Sequence, residues 1–161
     1  MKVGVVDYGM GNLFSVVSAL ETVGADVKIC TNPSTLKEVH RVILPGVGAF
    51  KDCIETLTKT GFKDALDEEI IKDGKPIYGI CLGLQIMSRS SSEFGNHKGL
   101  DWIRGDVIPL EPNVKKNLRV PHVGWNSIKY KPDRLLFSNL PDCPDFYFVH
   151  SYFLKCDDIN N

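Results

Sequence analysis

The stretch Lys75–Gln85, KPIYGICLGLQ, places an apolar run directly before a cysteine that stands between two glycines. The block Gly79–Gly83, GICLG, has the form Gly-x-nucleophile-x-Gly, which is typical of a sharp turn from a buried strand into a helix. Small residues flank the nucleophile because such a turn is tight, and its side chain then projects above the sheet. Free backbone N–H groups at the N-terminal end of a helix favour an anion. The pattern therefore predicts Cys81 as a catalytic nucleophile.

A structural role is the main alternative for this cysteine, since free cysteine is among the most buried residue types. Three features favour the nucleophile: the flanking glycines, the apolar strand before Cys81 and the helical run Leu82–Ser88 after it. The chain has no C-x-x-C pair, which argues against a disulfide framework and against a zinc site. We interpret the remaining cysteines as core or surface residues; they are Cys30, Cys53, Cys143 and Cys156.

Length and composition set modest bounds on the class of protein. A chain of 161 residues is long enough for one domain with its own core, and we expect a single domain over residues 1–161. The net charge of −1 gives no indication of a nucleic-acid partner. The start, Met1–Asp7, resembles a strand more than a signal peptide, and no apolar run reaches membrane-spanning length. We expect a cytoplasmic protein with reduced thiols, and neither nucleic acid nor membrane as partner.

The first half of the chain alternates between predicted strands and helices. Such alternation predicts an α/β fold, with a parallel sheet covered on both faces. In these sheets the site lies beyond the C-terminal strand ends, where Asp7–Asn12, Pro45–Gly48 and Cys81 all fall. The predicted strands are Val3–Asp7, Asp26–Cys30, Arg41–Leu44 and Pro76–Ile80; the predicted helices begin after Asn12 and near Leu36, and cover Ala49–Thr60 and Phe62–Lys72.

The character of the sequence changes after about residue 90. The stretch Ser88–Gly99 is polar and is predicted as a loop. Three strands separated by proline-rich turns are predicted to form an antiparallel excursion from the parallel core. They are Asp106–Leu110, Val123–Tyr130 and Phe146–Leu154.

Two glycine-rich turns at the predicted strand ends are candidate ligand sites. Pro45–Gly48 suits an ordinary strand-ending loop, but its glycines also let backbone N–H groups approach a ligand. Together with the N–H of Leu82 it would form an oxyanion hole for a tetrahedral intermediate. The turn Tyr8–Asn12 suggests a phosphate site only weakly, because it lacks the third glycine of the dinucleotide fingerprint.

The histidines of the second half leave alternatives open. His150 lies in an aromatic-rich predicted strand and suits a hydrogen-bonded core or pocket residue better than a catalytic base. His122, in PHVGWN, suits a partner surface or a structural turn equally well. We find no constellation of residues with metal-ligand spacing.

Taken in order, these segments resemble the class I, triad-type glutamine amidotransferases, and within them the glutaminase subunits of imidazole glycerol phosphate synthases. The strand–turn–helix pattern at Gly79–Gly83, which we call the elbow, indicates the class. PHVGWN (121–126) with FVHSY (148–152) indicates the subunit family. The resemblance implies a flavodoxin-like three-layer α/β sandwich without a cofactor. It also implies that glutamine is hydrolysed through a cysteine thioester. The ammonia would pass to a (β/α)8-barrel cyclase in a heterodimer, for histidine biosynthesis.

The same resemblance implies residue roles. Cys81 would be the nucleophile, and Gly48 and Leu82 would surround the oxyanion. The glutamine pocket would be lined by Gly46, Gln85, His150, Ser151 and Tyr152. The surface that faces the partner would contain Asn12 and Trp125.

One departure from the family concerns the catalytic base. The family completes its triad with a His and a Glu two residues apart, in a segment after the FVHSY strand. None of the four histidines here is followed two places on by Glu. On this comparison we expect a chain truncated at its C-terminus relative to the family, without the triad His and Glu, and with reduced turnover.

Three alternative functions follow from the same residues. The chain would be a non-catalytic or weakly active subunit that keeps the fold and binds a barrel partner. Alternatively, it would supply ammonia for amination of a surface-polysaccharide sugar. A cysteine hydrolase that does not use glutamine is the third, and it would leave Trp125 and Phe148–Tyr152 unexplained.

Overall fold

The computed structural model describes residues 1–113, 118–130 and 137–158. They fall into two compact units, the first made of Met1–Ile108 with the segment from Leu154 onward, and the second of Pro109–Phe153. The expectation of one domain stays a prediction. The first elements in chain order are β1 (Lys2–Val6), α1 (Leu13–Thr22), β2 (Asp26–Cys30), a 3-10 helix (Pro33–Glu38), β3 (Arg41–Gly46), α2 (Phe50–Lys59), α3 (Phe62–Leu66), a π-helical turn (Asp67–Lys72), β4 (Ile77–Cys81) and α4 (Leu82–Gln85).

The first unit is built on a four-stranded parallel sheet with the order β2-β1-β3-β4. The connection from β1 to β2 runs in one direction across the sheet, and the connections from β2 to β3 and from β3 to β4 run in the other. Because such connections are right-handed, α1 lies on one face of the sheet, and the 3-10 helix, α2 and α3 lie on the other. The predicted three-layer α/β architecture is confirmed. A doubly wound sheet opens a crevice at its reversal point, here between the C-terminal ends of β1 and β3.

The core lies between this sheet and the helices α2 and α3, whereas α1 has no buried residue. Val5 and Leu44 are fully buried in β1 and β3. On α2, the buried Phe50, Cys53 and Leu57 follow helical spacing and form its inner face. Burying a side chain such as Phe50 contributes about 1.5–3 kcal/mol, so this packing fixes the loop that precedes α2.

Helix α1 begins where the sequence predicts. The side-chain oxygen of Asn12 accepts a hydrogen bond from the N–H of Ser15 at 3.3 Å, which satisfies one of the free donors of the first turn. Gly24, with a φ of 78°, follows the end of the helix at Thr22. The predicted N-cap is confirmed, whereas the partner-facing role of Asn12 stays a prediction.

Strand β3 is longer than predicted, because it continues through Pro45 to Gly46. Pairing with β1 ends at Ile43, so the missing N–H of Pro45 removes no hydrogen bond on that side. On the other side, Pro45 and Gly46 pair with Ile80 and Cys81 of β4. The predicted break at Pro45 is therefore wrong, and the strand delivers Gly46 to a position directly beside Cys81.

The region after the elbow also differs from the prediction. Helix α4 ends at Gln85, and Ser88 already pairs with Ile103, so the helical run Leu82–Ser88 is shorter than predicted. Ser88–Gly99 is not all loop, since it contains two strands. The later strands are β5 (Ser88–Ser91), β6 (His97–Lys98), β7 (Ile103–Pro109), β8 (His122–Ser127), β9 (Asp145–His150) and β10 (Tyr152–Cys156).

These later strands form two sheets. One has the order β10-β7-β5-β6, in which β5 pairs in parallel with β7 and antiparallel with β6. The other is the antiparallel pair β8–β9, in which His122 lies opposite His150 and Trp125 opposite Tyr147. The excursion is thus antiparallel at β5–β6 and β8–β9, with one parallel pairing that the sequence did not indicate.

Candidate active site

The elbow after β4 holds Cys81 in a strained conformation. Its φ is 55° and its ψ −115°, outside the regions that residues with a side chain normally occupy. Strain of this kind costs on the order of 1–3 kcal/mol and persists only where the surrounding structure enforces it. Cys81 is exposed, whereas Cys30 and Cys53 are buried. The alternative of a buried structural cysteine at position 81 is therefore excluded.

Three glycines enforce this conformation by letting the backbones of β3, β4 and α4 come into contact. A Cβ on Gly83 would lie 1.9 Å from the carbonyl oxygen of Leu44, and one on Gly79 would lie 2.6 Å from the Cα of Leu84. A Cβ on Gly46 would lie 2.6 Å from the backbone nitrogen of Gly83. No side chain fits at these places, so the Gly-x-Cys-x-Gly pattern reflects backbone packing on both sides of the nucleophile.

The predicted oxyanion residues, Gly48 and Leu82, and two predicted pocket residues, Gly46 and Gln85, lie near this elbow to different degrees. Gly46 pairs with Cys81, and its Cα faces the backbone of Leu82, so these three residues are brought together. Gly48 follows two residues after the strand end, with a φ of 108°. Gln85 ends the single turn of α4 that Leu82 begins. Their roles toward glutamine stay predictions.

The segment from Pro45 to Phe50 is braced at both ends by side chains that the sequence did not indicate. The hydroxyl of the buried Tyr8 donates to the carbonyl oxygen of Pro45 at 2.8 Å and contacts the Sγ of Cys53 at 3.0 Å. A carboxylate oxygen of Glu93 accepts from the N–H of Phe50 at 2.7 Å. These contacts hold Gly46–Gly48 between two fixed points.

Burial sets the protonation state of the first brace. It raises the pKa of the Tyr8 hydroxyl above its ordinary value and raises the pKa of the Cys53 thiol to about 11. Both groups are therefore neutral near pH 7, and Cys53 lies in the core, one of the two settings that the sequence left open for it. Tyr8 follows the first predicted strand directly, which is the one local signal for its position. Glu93 lies in the stretch predicted as loop.

The other predicted residues lie in the second unit. His150 ends β9, Ser151 follows it, and Tyr152 begins β10. The carbonyl oxygen of Ser151 accepts from the N–H of Leu110 at 2.8 Å. Trp125, in β8, is 70% exposed and makes an edge contact with Tyr147 at 5.6 Å between ring centroids. The approach of His150–Tyr152 to glutamine stays a prediction.

Two further kinds of site are not found in the described part of the chain. Among residues 1–113, 118–130 and 137–158, no group of three or more His, Cys, Asp or Glu side chains is placed to hold a metal ion. Over the same ranges, no helix has the length and apolar character needed to cross a membrane. The candidate site is thus made of the elbow, the braced segment and backbone groups.

Comparisons with known proteins agree with this geometry. A family model described as glutamine amidotransferase class-I matches residues 4–160. Imidazole glycerol phosphate synthase subunit HisH 1 of Campylobacter jejuni is 40% identical over 156 residues, which are 97% of this chain and 77% of the relative. The subunit HisH 2 of Vibrio vulnificus is 43% identical over 157 residues, 97% of this chain and 72% of the relative.

Solved structures show the same fold at low identity. A crystal structure of a glutamine amidotransferase matches with a TM-score of 0.72 and 16% identity, covering 95% of this chain and 73% of the other. A glutamine amidotransferase from Thermotoga maritima gives a TM-score of 0.60 at 18% identity, with 97% and 63% covered. At such identities the likeness shows the fold alone.

Proposed function

The chain belongs to the class-I glutamine amidotransferases and, among them, to the HisH subunits of imidazole glycerol phosphate synthase; on this premise we propose that Cys81 hydrolyses glutamine for that synthase. The observation that carries the proposal is the strained, exposed Cys81 at the C-terminal edge of a parallel sheet. Such a cysteine, packed on both sides by glycine backbones, is placed to attack a ligand bound beyond the strand ends.

The proposed first step forms a thioester. The Sγ of Cys81 bonds to the side-chain carbonyl carbon of glutamine, the C–N bond breaks, and the thiol proton leaves with ammonia. The oxyanion of the tetrahedral intermediate would lie against backbone N–H groups of Gly48 and Leu82, beside Cys81. Removing one such donor from a comparable site typically costs about 100- to 1000-fold in rate.

The second step is hydrolysis of the thioester by water, which gives glutamate and restores the thiol. A general base accelerates it by accepting a proton from the water. None of the four histidines in the 161 residues has the His-x-Glu spacing of the family triad. We therefore assign to this chain the nucleophile, the oxyanion groups and the pocket, and assign the base to none of its histidines.

We infer the partner from the exposed face of the β8–β9 pair. Alternation along these strands puts Val123, Trp125, Tyr147 and Val149 on one face, and each is more than half exposed. A cluster with aromatic anchors of this kind is typical of protein interfaces. We propose that this face meets the (β/α)8-barrel cyclase that receives the ammonia; Asn12, in the first unit, stays a separate candidate for contact with the partner. The free cysteines support the expected cytoplasmic location.

The relatives do not favour the alternatives considered from the sequence. Their names describe subunits of imidazole glycerol phosphate synthase, not sugar-aminating or non-catalytic proteins. The direct test is glutamate release from glutamine by the chain with a barrel cyclase subunit, alongside Cys81→Ala. We expect glutamate formation that depends on Cys81. Glutamate release by Cys81→Ala would contradict the proposal, as would a wild-type chain that neither releases glutamate nor reacts at Cys81.

A further inference from the structure

Three side chains and one carbonyl group of the second unit form a continuous line of hydrogen bonds, which we call the imidazole relay. The Nδ1 of His150 lies 2.9 Å from the carbonyl oxygen of Tyr152. The Nε2 of His150 lies 3.0 Å from the Nδ1 of His122. The Nε2 of His122 lies 2.6 Å from the side-chain nitrogen of Asn126.

The strand pairing explains this line. His122 and His150 are direct cross-strand neighbours in β8–β9, and Asn126 lies four residues along β8 on the same face. The ring of Phe148 stacks on His122, with 4.6 Å between centroids and 22° between planes. Both imidazoles are half-buried, so each ring is restrained by its neighbours as well as by its hydrogen bonds.

If both rings are neutral, the carbonyl group of Tyr152 sets the direction of every bond in the relay. A carbonyl oxygen only accepts, so the Nδ1 of His150 carries a proton. In a neutral ring the Nε2 of His150 then accepts, and the Nδ1 of His122 must donate to it. The Nε2 of His122 accepts in turn from the amide of Asn126. With neutral rings, both histidines are therefore protonated at Nδ1.

One consequence concerns the role of His150. Both of its ring nitrogens are engaged inside the second unit, by the Tyr152 carbonyl and by His122. We propose that His150 does not bind glutamine through its ring, and that His122 and Asn126 are positioning residues. Through the His150 ring they hold the turn at Ser151 that joins β9 to β10. This inference rests on the proposed function and on the expectation, from the family resemblance, that Ser151 and Tyr152 line the glutamine pocket.

The test uses the full 161-residue chain and a chloromethyl ketone analogue of glutamine. This analogue alkylates Cys81 as the sulfur–carbon bond forms, chloride leaves and the thiol proton passes to water. The saturation constant of this labelling measures the affinity of the glutamine pocket for the analogue. The rate of reaction with iodoacetamide measures the reactivity of the Cys81 thiol alone. We expect His122→Ala to raise the saturation constant about fivefold to tenfold, the effect of losing one or two hydrogen bonds, with the iodoacetamide rate unchanged.

Two variants control for loss of structure. Asparagine places its side-chain N–H near the position of Nδ1, so His122→Asn keeps the bond to His150 and should stay within about twofold of wild type. Ser127→Ala removes another cross-strand hydrogen bond of the same strand pair, from Ser127 to Asp145 at 2.6 Å, and should leave the saturation constant unchanged. If Ser127→Ala weakens binding as much as His122→Ala, the effect is general loosening and the proposal fails.

Nitrogen-15 NMR of the imidazole rings decides the relay independently of binding. With neutral rings, we expect both His122 and His150 to carry the proton on Nδ1. A ring protonated on Nε2 would overturn the relay, and an unchanged saturation constant in His122→Ala would overturn the positioning role. Labelling that does not saturate in the wild-type chain would instead overturn the proposed function, and with it the positioning role. The NMR result would still show whether the hydrogen bonds of the relay have the proposed directions.

Discussion

Cys81 occupies a backbone conformation that its own side chain disfavours, and neighbouring glycines keep it there. The cost of its φ of 55° is offset by contacts that only residues without a Cβ allow, at Gly46, Gly79 and Gly83. A substitution at one of these glycines should therefore alter the conformation of Cys81 although Cys81 itself is unchanged. This dependence leads to the first prediction.

We expect Gly83→Ala to lower the free energy of unfolding by about 1–3 kcal/mol and to slow alkylation of Cys81. The added Cβ would meet the carbonyl oxygen of Leu44 at 1.9 Å, and a backbone atom cannot rotate away. Urea denaturation and the iodoacetamide rate measure the two effects. The matched control is Gly74→Ala, which has open space at its Cβ but a φ of 70°. Equal slowing of Cys81 alkylation in both variants would show that general destabilisation, and not the contact between the interlocked glycines, is responsible.

The buried Cys53 gives a prediction for alkaline pH. Burial raises its pKa from 9.0 to about 11 in the folded protein. The unfolded chain therefore releases this proton first, so the stabilising contribution is complete below pH 9 and is lost as the pH rises to about 11. Cys53→Ser keeps a hydroxyl beside Tyr8 but does not ionise. We expect a smaller loss of stability in this variant between pH 9 and 11, measured by denaturation at each pH. An identical loss in both proteins would contradict this origin.

At the scale of the element, the sequence predicts local structure better than long-range contacts. The N-cap at Asn12 and strand β2 were predicted to the residue, because caps and apolar runs are local signals. The predicted strand β3 ends too early, before Pro45. Its continuation to Gly46 depends on pairing with β4 and on the end of pairing with β1, and no local signal in the sequence shows either. The contact from Glu93 to Phe50 spans 43 residues, and no periodicity in the sequence indicates it.

The start of α2 depends on this distant carboxylate. Ala49 caps the helix without a side-chain hydrogen bond, so Glu93 supplies the acceptor for the first N–H. We expect Glu93→Ala to lower the free energy of unfolding by about 1 kcal/mol, through the lost hydrogen bond and the lost charge at the helix N-terminus. Glu93→Gln should lose less. Glu55→Ala, which removes an exposed pair with Lys51 at 3.6 Å, is the control and should change stability by less than about 0.5 kcal/mol.

At the scale of the whole molecule, the proposed function requires a second protein. The exposed face of β8–β9 with Trp125 at 70% exposure is the part of the described surface that we assign to it. Aromatic anchors of this kind commonly contribute 2 kcal/mol or more to an interface, which is about a 30-fold change in affinity. We expect Trp125→Ala to weaken binding to the barrel cyclase by about this factor without lowering the free energy of unfolding.

Titration calorimetry with the cyclase subunit measures this affinity. Phe94→Ala provides the control, since Phe94 is 85% exposed and lies outside the β8–β9 pair. Unchanged affinity in Trp125→Ala would place the partner on another face. Equal weakening in both variants would indicate non-specific apolar association.

The most direct single measurement is mass spectrometry of the chain after acid quenching of its reaction with glutamine. If Cys81 is the nucleophile, the peptide that contains it carries a γ-glutamyl thioester, and Cys81→Ala carries none. The chain offers four other cysteines as internal controls in the same digest. We predict the adduct on Cys81 alone. An adduct on another cysteine, or glutamate formation with no adduct dependent on Cys81, would contradict the assignment of this elbow as the glutaminase site.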